Sequence, residues 1–198
     1  MNTILQRLFL ISLTLTFGGC VASYTLVPAG KTQVAKKTMM VSPGSNWNRT
    51  PRSRTQIKAE ESWTKNGPIL DSITFVGGIE DGAELAKYNF REERRIPVFR
   101  SNMTPPDFVS MVESNYRIRG GVSVFTMTNM EPVMFLGVAG IQMDYDFIGG
   151  DDVKRKGRTV LSVFNDKLYM MSLDGTALHY FAAALPEFEA MVAEAGLL

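Results

Sequence analysis

The sequence predicts an α+β domain, an antiparallel β-sheet flanked by helices. Three apolar-rich runs between Gly140 and Leu173, the first of them alternating apolar and polar residues, are separated by turn-forming residues. An apolar stripe at helical spacing precedes them (Phe108, Met111, Val112, Tyr116), and two more follow, Leu178, Phe181, Ala182 and Leu185, then Phe188, Met191, Val192 and Ala195.

The composition agrees. The 198 residues are 45% hydrophobic and 21% charged, as in one folded domain with its own core. The 21 basic and 20 acidic side chains leave no strong field to hold a polyanion, so nucleic acid is not expected as a partner. The single cysteine excludes an internal disulfide and any cysteine-rich metal site. Twelve methionines suit a core with irregular gaps, or an adaptable binding surface.

The chain starts with one basic residue, Arg7, then an apolar run from Leu8 to Phe17, then Gly18-Gly19-Cys20. That order describes a secretory signal peptide, too short to span a bilayer as a helix. Phe17-Gly18-Gly19-Cys20 resembles the lipobox of bacterial lipoproteins, with Phe17 where Leu is usual. The resemblance implies cleavage before Cys20, acylation of its thiol (palmitate among the chains), and outer-membrane sorting, because Val21 is not the Asp of inner-membrane retention. Each buried methylene adds about 0.8 kcal/mol, so several chains anchor firmly where one does not. The expected organisation is a signal peptide over 1–19, lipidated Cys20 with a short tether over 20–23, and one α+β domain over 24–198. The expected address is the bacterial envelope, on the outer membrane and facing the periplasm.

The elements follow in order. Tyr24–Val27 reads as a strand ended by Pro28-Ala29-Gly30, and Thr32–Val41 as a second, longer one before Ser42-Pro43-Gly44-Ser45. Gln56–Lys65 reads as an exposed strand and Ile69–Val76 as another, broken by Gly77-Gly78. Residues 80–102, with the charge run Arg91–Arg95, read as a solvated loop or a partner-binding one. Thr104-Pro105-Pro106-Asp107 is a helix start: a capping hydroxyl, prolines in the first turn, and an acid facing the positive helix end. Gly120-Gly121 stops that helix. Val122–Met127 is a strand interrupted at Glu131-Pro132. Gly140–Ile148 places Ile141, Met143, Tyr145 and Phe147 on one face. A polar turn spans 149–157, Arg158–Phe164 is the next strand, Asn165-Asp166 turns, and Lys167–Leu173 is the last strand, ended by Asp174-Gly175. Pro186 is expected to open the final helix and Gly196 to close it.

Several segments together resemble a family of uncharacterised bacterial outer-membrane lipoproteins with a PsbP-like domain. They include Tyr24–Gly30, Trp47-Asn48-Arg49, Asp71–Phe75, Met103–Pro106, Gly157-Arg158, Lys167-Leu168-Tyr169, Leu178–Phe181 and Leu185–Glu189. The resemblance implies a PsbP-like α/β/α sandwich. It also implies a binding or assembly role without a shared active site.

No nucleophile elbow, phosphate-cradling glycine loop, paired histidines or dinucleotide fingerprint is present in the sequence. His179 is the only imidazole and, beside Tyr180 and Phe181, reads as structural. Asp144, Asp146, Asp151 and Asp152 are weak candidates for a metal, lacking calcium-loop spacing; the alternative is cross-strand pairing of Asp144 and Asp146 with Arg158 or Lys167. Lys154, Arg155, Lys156 and Arg158 read as a basic hairpin tip, either solvated or in contact with anionic lipid or cell-wall polymer. Trp47, Arg49, Trp63, Arg94 and Arg95 are candidates for partner contact, since Trp and Arg concentrate binding energy. The expected function is a non-enzymatic, lipid-anchored envelope module that binds an unidentified envelope protein or component, with no cofactor. The alternative is a small-molecule or lipid-binding module with its cavity between sheet and helix.

Overall fold

The computed structural model describes residues 23–53, 55–87 and 96–198. The strands are β1 Thr25–Val27, β2 Thr32–Val34, β3 Met39–Val41, β4 Trp47–Arg49, β5 Glu60–Thr64, β6 Asp71–Glu80, β7 Val124–Phe135, β8 Val138–Ile148, β9 Lys154–Phe164, β10 Lys167–Thr176 and β11 Gly196–Leu197. Among the described residues the helices are α1 Pro105–Gly120 and α2 Tyr180–Ala193. Eight strands form one antiparallel sheet in the order β1-β4-β5-β6-β10-β9-β8-β7. A small second sheet, β11-β3-β2, joins the C-terminal end to the β2–β3 hairpin.

β10 lies deep in the large sheet, and Leu168 through Leu173 are all buried because both faces are covered. On one face Trp63, Ile73, Phe75, Met171 and Leu173 pack with Phe188 and Met191 of α2. On the other, Val76, Met170, Met143 and Tyr145 share a core with Phe108, Met111 and Val112 of α1. The two helices therefore sit on opposite sides of the sheet. α1 starts as expected: the Thr104 backbone N–H and hydroxyl both donate to one Asp107 carboxylate oxygen, at 2.8 and 2.6 Å.

Five expectations need correction. Thr32–Val41 is not one strand, because Ala35, Lys36 and Lys37 turn the chain with φ of 49°, 62° and 64°. Gly77-Gly78 does not break β6: Gly77 lies inside it, opposite a register shift at Leu168/Tyr169, where a Cβ would fall 2.1 Å from Thr38 Oγ1 of the packed hairpin. Pro132 does not interrupt β7, which among the described residues is an edge strand, the place in a sheet where proline is tolerated. Lys154, Arg155 and Lys156 belong to β9 rather than to a turn. Pro186 lies inside α2 instead of opening it; it and Ala182 lie on the exposed side, where water can take the unbonded carbonyl.

The 80–102 segment is also tied down at both ends. Gly82 N–H donates to the Phe99 carbonyl, Phe99 N–H to that of Ala83, and Leu85 N–H to that of Pro97. Leu85, Ala86 and Phe99 are buried. A solvated loop does not describe these flanks.

Candidate functional site: a polar cleft under α1

The two faces of the sheet differ in chemistry. Alternation along β5, β6 and β10 sends large apolar side chains towards α2. The intervening residues, among them Glu60, Ser62, Ser72, Thr74, Ser172 and Asp174, face the other way. α1 stands over this second face and leaves a cavity of about 460 Å³ between them. Its walls include these six residues, with Asn115, Tyr116 and Arg119 of α1. A second hollow of about 400 Å³ continues past the C-terminal end of α1 and shares Pro68, Ser72, Tyr116, Gly120 and Asp174 with the first.

Hydroxyls line the floor and bond to one another. Ser62 Oγ lies 3.0 Å from Thr74 Oγ1, and Ser172 Oγ lies 2.8 Å from Thr159 Oγ1. Thr159 is joined at 2.9 Å to the Tyr145 hydroxyl, which is 2.7 Å from that of Tyr116. The Tyr116 hydroxyl donates to both Asp174 oxygens, at 2.6 and 2.8 Å. Burial pushes the Asp174 carboxyl up to about 7, against the lowering effect of the Tyr116 and Tyr145 bonds and of Arg155. Both tyrosine hydroxyls are raised well above their ordinary value, by burial first and by the Asp174 charge second.

At the other wall Arg119 donates to Glu60 Oε1 at 2.7 Å, and the Glu60 side chain is only 2% exposed. Glu60 Oε2 and Asn115 Oδ1 are buried without a hydrogen-bond partner among the described residues.

The residues expected to form a site lie elsewhere. Trp47 and Trp63 are completely buried, which removes them from any contact surface. The Trp47 indole N–H donates to Glu187 Oε1 at 3.0 Å and that of Trp63 to Glu61 Oε1 at 2.7 Å. Arg49, half-exposed, also bonds Glu61 Oε1, at 2.6 Å. Arg94 and Arg95 lie outside the described residues, as do Cys20 and the signal segment.

The basic group forms no tip. Arg158 makes a two-pronged pair with Asp144 at 2.6 and 2.8 Å and also reaches Glu189. Arg155 does the same to Asp151, at 2.7 Å on each prong, and Lys156 lies 3.4 Å from Asp146; Lys154 is exposed. Three of the four metal candidates thus face cations, Asp146 pairing with Lys156 rather than Lys167, and Asp152 sits in the turn with φ of 59°. No group of three or more potential metal-ligating side chains converges among the described residues. His179 is exposed, meets the edge of Tyr180, and lines neither hollow.

The sequence reading passed over Glu60, Asn115, Arg119 and Asp174. The available signal was parity: Ser72 and Thr74 on one run and Ser172 and Asp174 on another share a face. Such a face is normally taken as solvent-exposed, and only the placement of α1 covers it.

No helix among the described residues is long and apolar enough to cross a membrane. No protein-family model matches the sequence, and no curated protein sequence does either. Solved structures do match in shape. The Ran-binding protein Mog1p of Saccharomyces cerevisiae superposes with a TM-score of 0.52 at 10% identity, covering 89% of this chain and 96% of that one. The cyanobacterial PsbP protein (CyanoP) of Synechocystis superposes with a TM-score of 0.53 at 12% identity, covering 94% and 99%. These likenesses concern the fold: the chain has the α+β architecture of Mog1 and PsbP, a large antiparallel sheet with a helix on each side.

Proposed function

We propose that this chain is a lipid-anchored bacterial envelope protein that works as a non-enzymatic binding module, with its ligand site in the cleft between α1 and the sheet. The observation that carries the binding site is the covered polar face, whose hydroxyls and carboxylates open into about 460 Å³ of space rather than into packed core. The anchor rests on the lipobox-like Phe17-Gly18-Gly19-Cys20. A partner-protein module is the weaker reading, because the two tryptophans that favoured it belong to the core.

Native mass spectrometry of the protein extracted gently from producing cells tests the site. A co-purifying small molecule is expected, and Ser72→Phe, which fills the cleft, should lose it. A bare protein mass, together with in-cell crosslinking to a second protein, would replace this reading with the partner-protein one. For the anchor, Cys20→Ala should move the protein out of the membrane fraction; continued sedimentation with membranes would sink it.

A further inference from the structure

We infer that the hollow beside β1, at one edge of the large sheet, docks the domain through Lys36, Arg52 and Lys58 onto the anionic headgroups of the membrane that carries it. This rests on the reading of Cys20 as a lipid anchor and adds which face of the domain meets the bilayer. The hollow encloses about 380 Å³ and joins Ser23 and Thr25, where the chain enters β1, to Lys36 of the β2–β3 turn and to Arg49, Arg52 and Lys58. Lys36, Arg52 and Lys58 are exposed, and none of them pairs with an acid among the described residues. Arg52 bonds only the Ile57 carbonyl among those residues, at 2.7 Å.

Two carboxylates also line the hollow, and each is already matched. Arg49 holds Glu61 at 2.6 Å and Arg119 holds Glu60 at 2.7 Å, so both pairs are neutral as units. The three remaining cations set the sign of the hollow. The other basic group differs: Arg155, Lys156 and Arg158 of β9 face Asp151, Asp146 and Asp144.

The anchor decides which anion comes within reach. Only Val21 and Ala22 separate Cys20 from Ser23. Three chain steps reach about 11 Å at most, close to the distance of about 10 Å over which charges in salt solution still attract. A hollow that begins at Ser23 is thus held beside the headgroups. β1 adds a second feature. Tyr24 and Leu26 are 49% and 61% exposed, on the side of the strand away from Thr25. A tyrosine ring suits the boundary between headgroups and hydrocarbon, and a leucine suits its apolar side. A bilayer that meets the sheet edge-on touches the cations on one side of β1 and this apolar pair on the other.

Lysine acetylation read by mass spectrometry tests the face. The full-length protein, extracted in detergent, is reconstituted in vesicles of phosphatidylcholine or of equal parts phosphatidylcholine and phosphatidylglycerol. Lys36 and Lys58 should label about fivefold more slowly on the anionic vesicles, the factor for one basic residue at such a surface. High salt should remove that protection. Lys154, exposed on β9 and five places from β1 in the sheet, should label equally on both. Arg52→Gln with Lys58→Gln, both at exposed positions, should remove most of the protection of Lys36. Inorganic phosphate added to protein on phosphatidylcholine should not protect Lys36; if it protects as well as the anionic vesicles do, the hollow is a site for free anions and the lipid assignment is overturned. Equal labelling on the two vesicle types, with the protein floating with both, would overturn the docking face and leave the anchor standing. Flotation with the anionic vesicles alone, with Lys36 protected, would remove the anchor and leave the face bound by charge. Flotation with neither would overturn both.

Discussion

The Tyr116 hydroxyl of α1 lies 2.6 Å from Asp174 Oδ1 of β10, and this bond ties the helix to the polar face of the sheet. The carboxyl is raised from 3.8 to about 7 because burial outweighs the bonds that stabilise its charge. A raised folded-state value means that the folded protein holds this proton more tightly than the unfolded chain. The resulting stabilisation is fully present below about 3.8 and is lost as pH rises through about 7. Asp174→Asn keeps an acceptor for Tyr116 and removes the titration. Urea midpoints of the variant should therefore fall less steeply than those of the parent across that window. Parallel slopes would show that Asp174 does not titrate there.

Glu187 fastens α2 in a comparable way, with the opposite sign. Its carboxylate accepts from the Ser45 backbone and hydroxyl at 3.0 and 2.9 Å and from the Trp47 indole at 3.0 Å, and it pairs with Lys65, whose ammonium sits 4.6 Å from the Trp47 ring centre. Burial alone would raise its pKa, but the bonds from Lys65, Trp47 and Ser45 outweigh it and hold the carboxyl below the ordinary value. Glu187→Ala should cost about 2 kcal/mol, since it leaves a buried indole N–H unpaired and loses charge-assisted bonds. The depressed value places this contribution at pH above the ordinary carboxylate value of 4.5, to be lost as pH falls through the lower folded one. Denaturant titrations near neutrality and in acid check both statements: the gap between parent and variant should close in acid.

The fold was legible where burial follows local periodicity. The Asn165-Asp166 turn, the α1 start at Thr104 and the buried face of β8 all follow from neighbours in sequence. The misreadings arise where distant chain decides the outcome. Pro132 looks like a strand breaker until β7 proves to be an edge, and Gly77 looks like one until the β2–β3 hairpin occupies the space above it. Trp47 and Trp63, rich in binding potential as residue types, are taken up by the core under α2. The cleft was hardest to foresee. Its residues come from β5, β6, β10 and α1, and polar side chains on an alternating strand carry the same pattern whether water or a helix covers them.

The β2–β3 turn stores strain that a single substitution should release. Three successive non-glycine residues, Ala35, Lys36 and Lys37, hold φ between 49° and 64°. The left-handed region costs an L-residue with a Cβ roughly 1–2 kcal/mol, part of which glycine returns as unfolded-state entropy. Lys37 is exposed, so Lys37→Gly sacrifices no buried contact and should raise stability by about 0.5–1 kcal/mol. Ala35→Gly should gain less, because Ala35 is fully buried and its methyl packs into the core. Urea midpoints of the two variants check the order; an equal gain would show that the Ala35 methyl contributes nothing.

Gly157 of β9 gives Tyr145 its place. The two residues are directly paired across β8 and β9, and a Cβ on Gly157 would fall 2.1 Å from Tyr145 Cε2 and 2.8 Å from its hydroxyl oxygen. Tyr145 is 1% exposed and packs against Tyr116, Phe125 and Phe147, so its ring can move only by disturbing those contacts. Gly157→Ala should therefore destabilise the protein by about 3 kcal/mol, the upper end for one added methyl in a packed site. It should also break the hydroxyl chain from Thr159 through Tyr145 to Tyr116, since the ring must swing for the methyl to fit. The signature is a coupling energy. Tyr145→Ala removes the clashing ring, so adding Gly157→Ala to that variant should cost far less than adding it to the parent. Strict additivity of the two changes in a double-mutant cycle would show that the collision is relieved elsewhere.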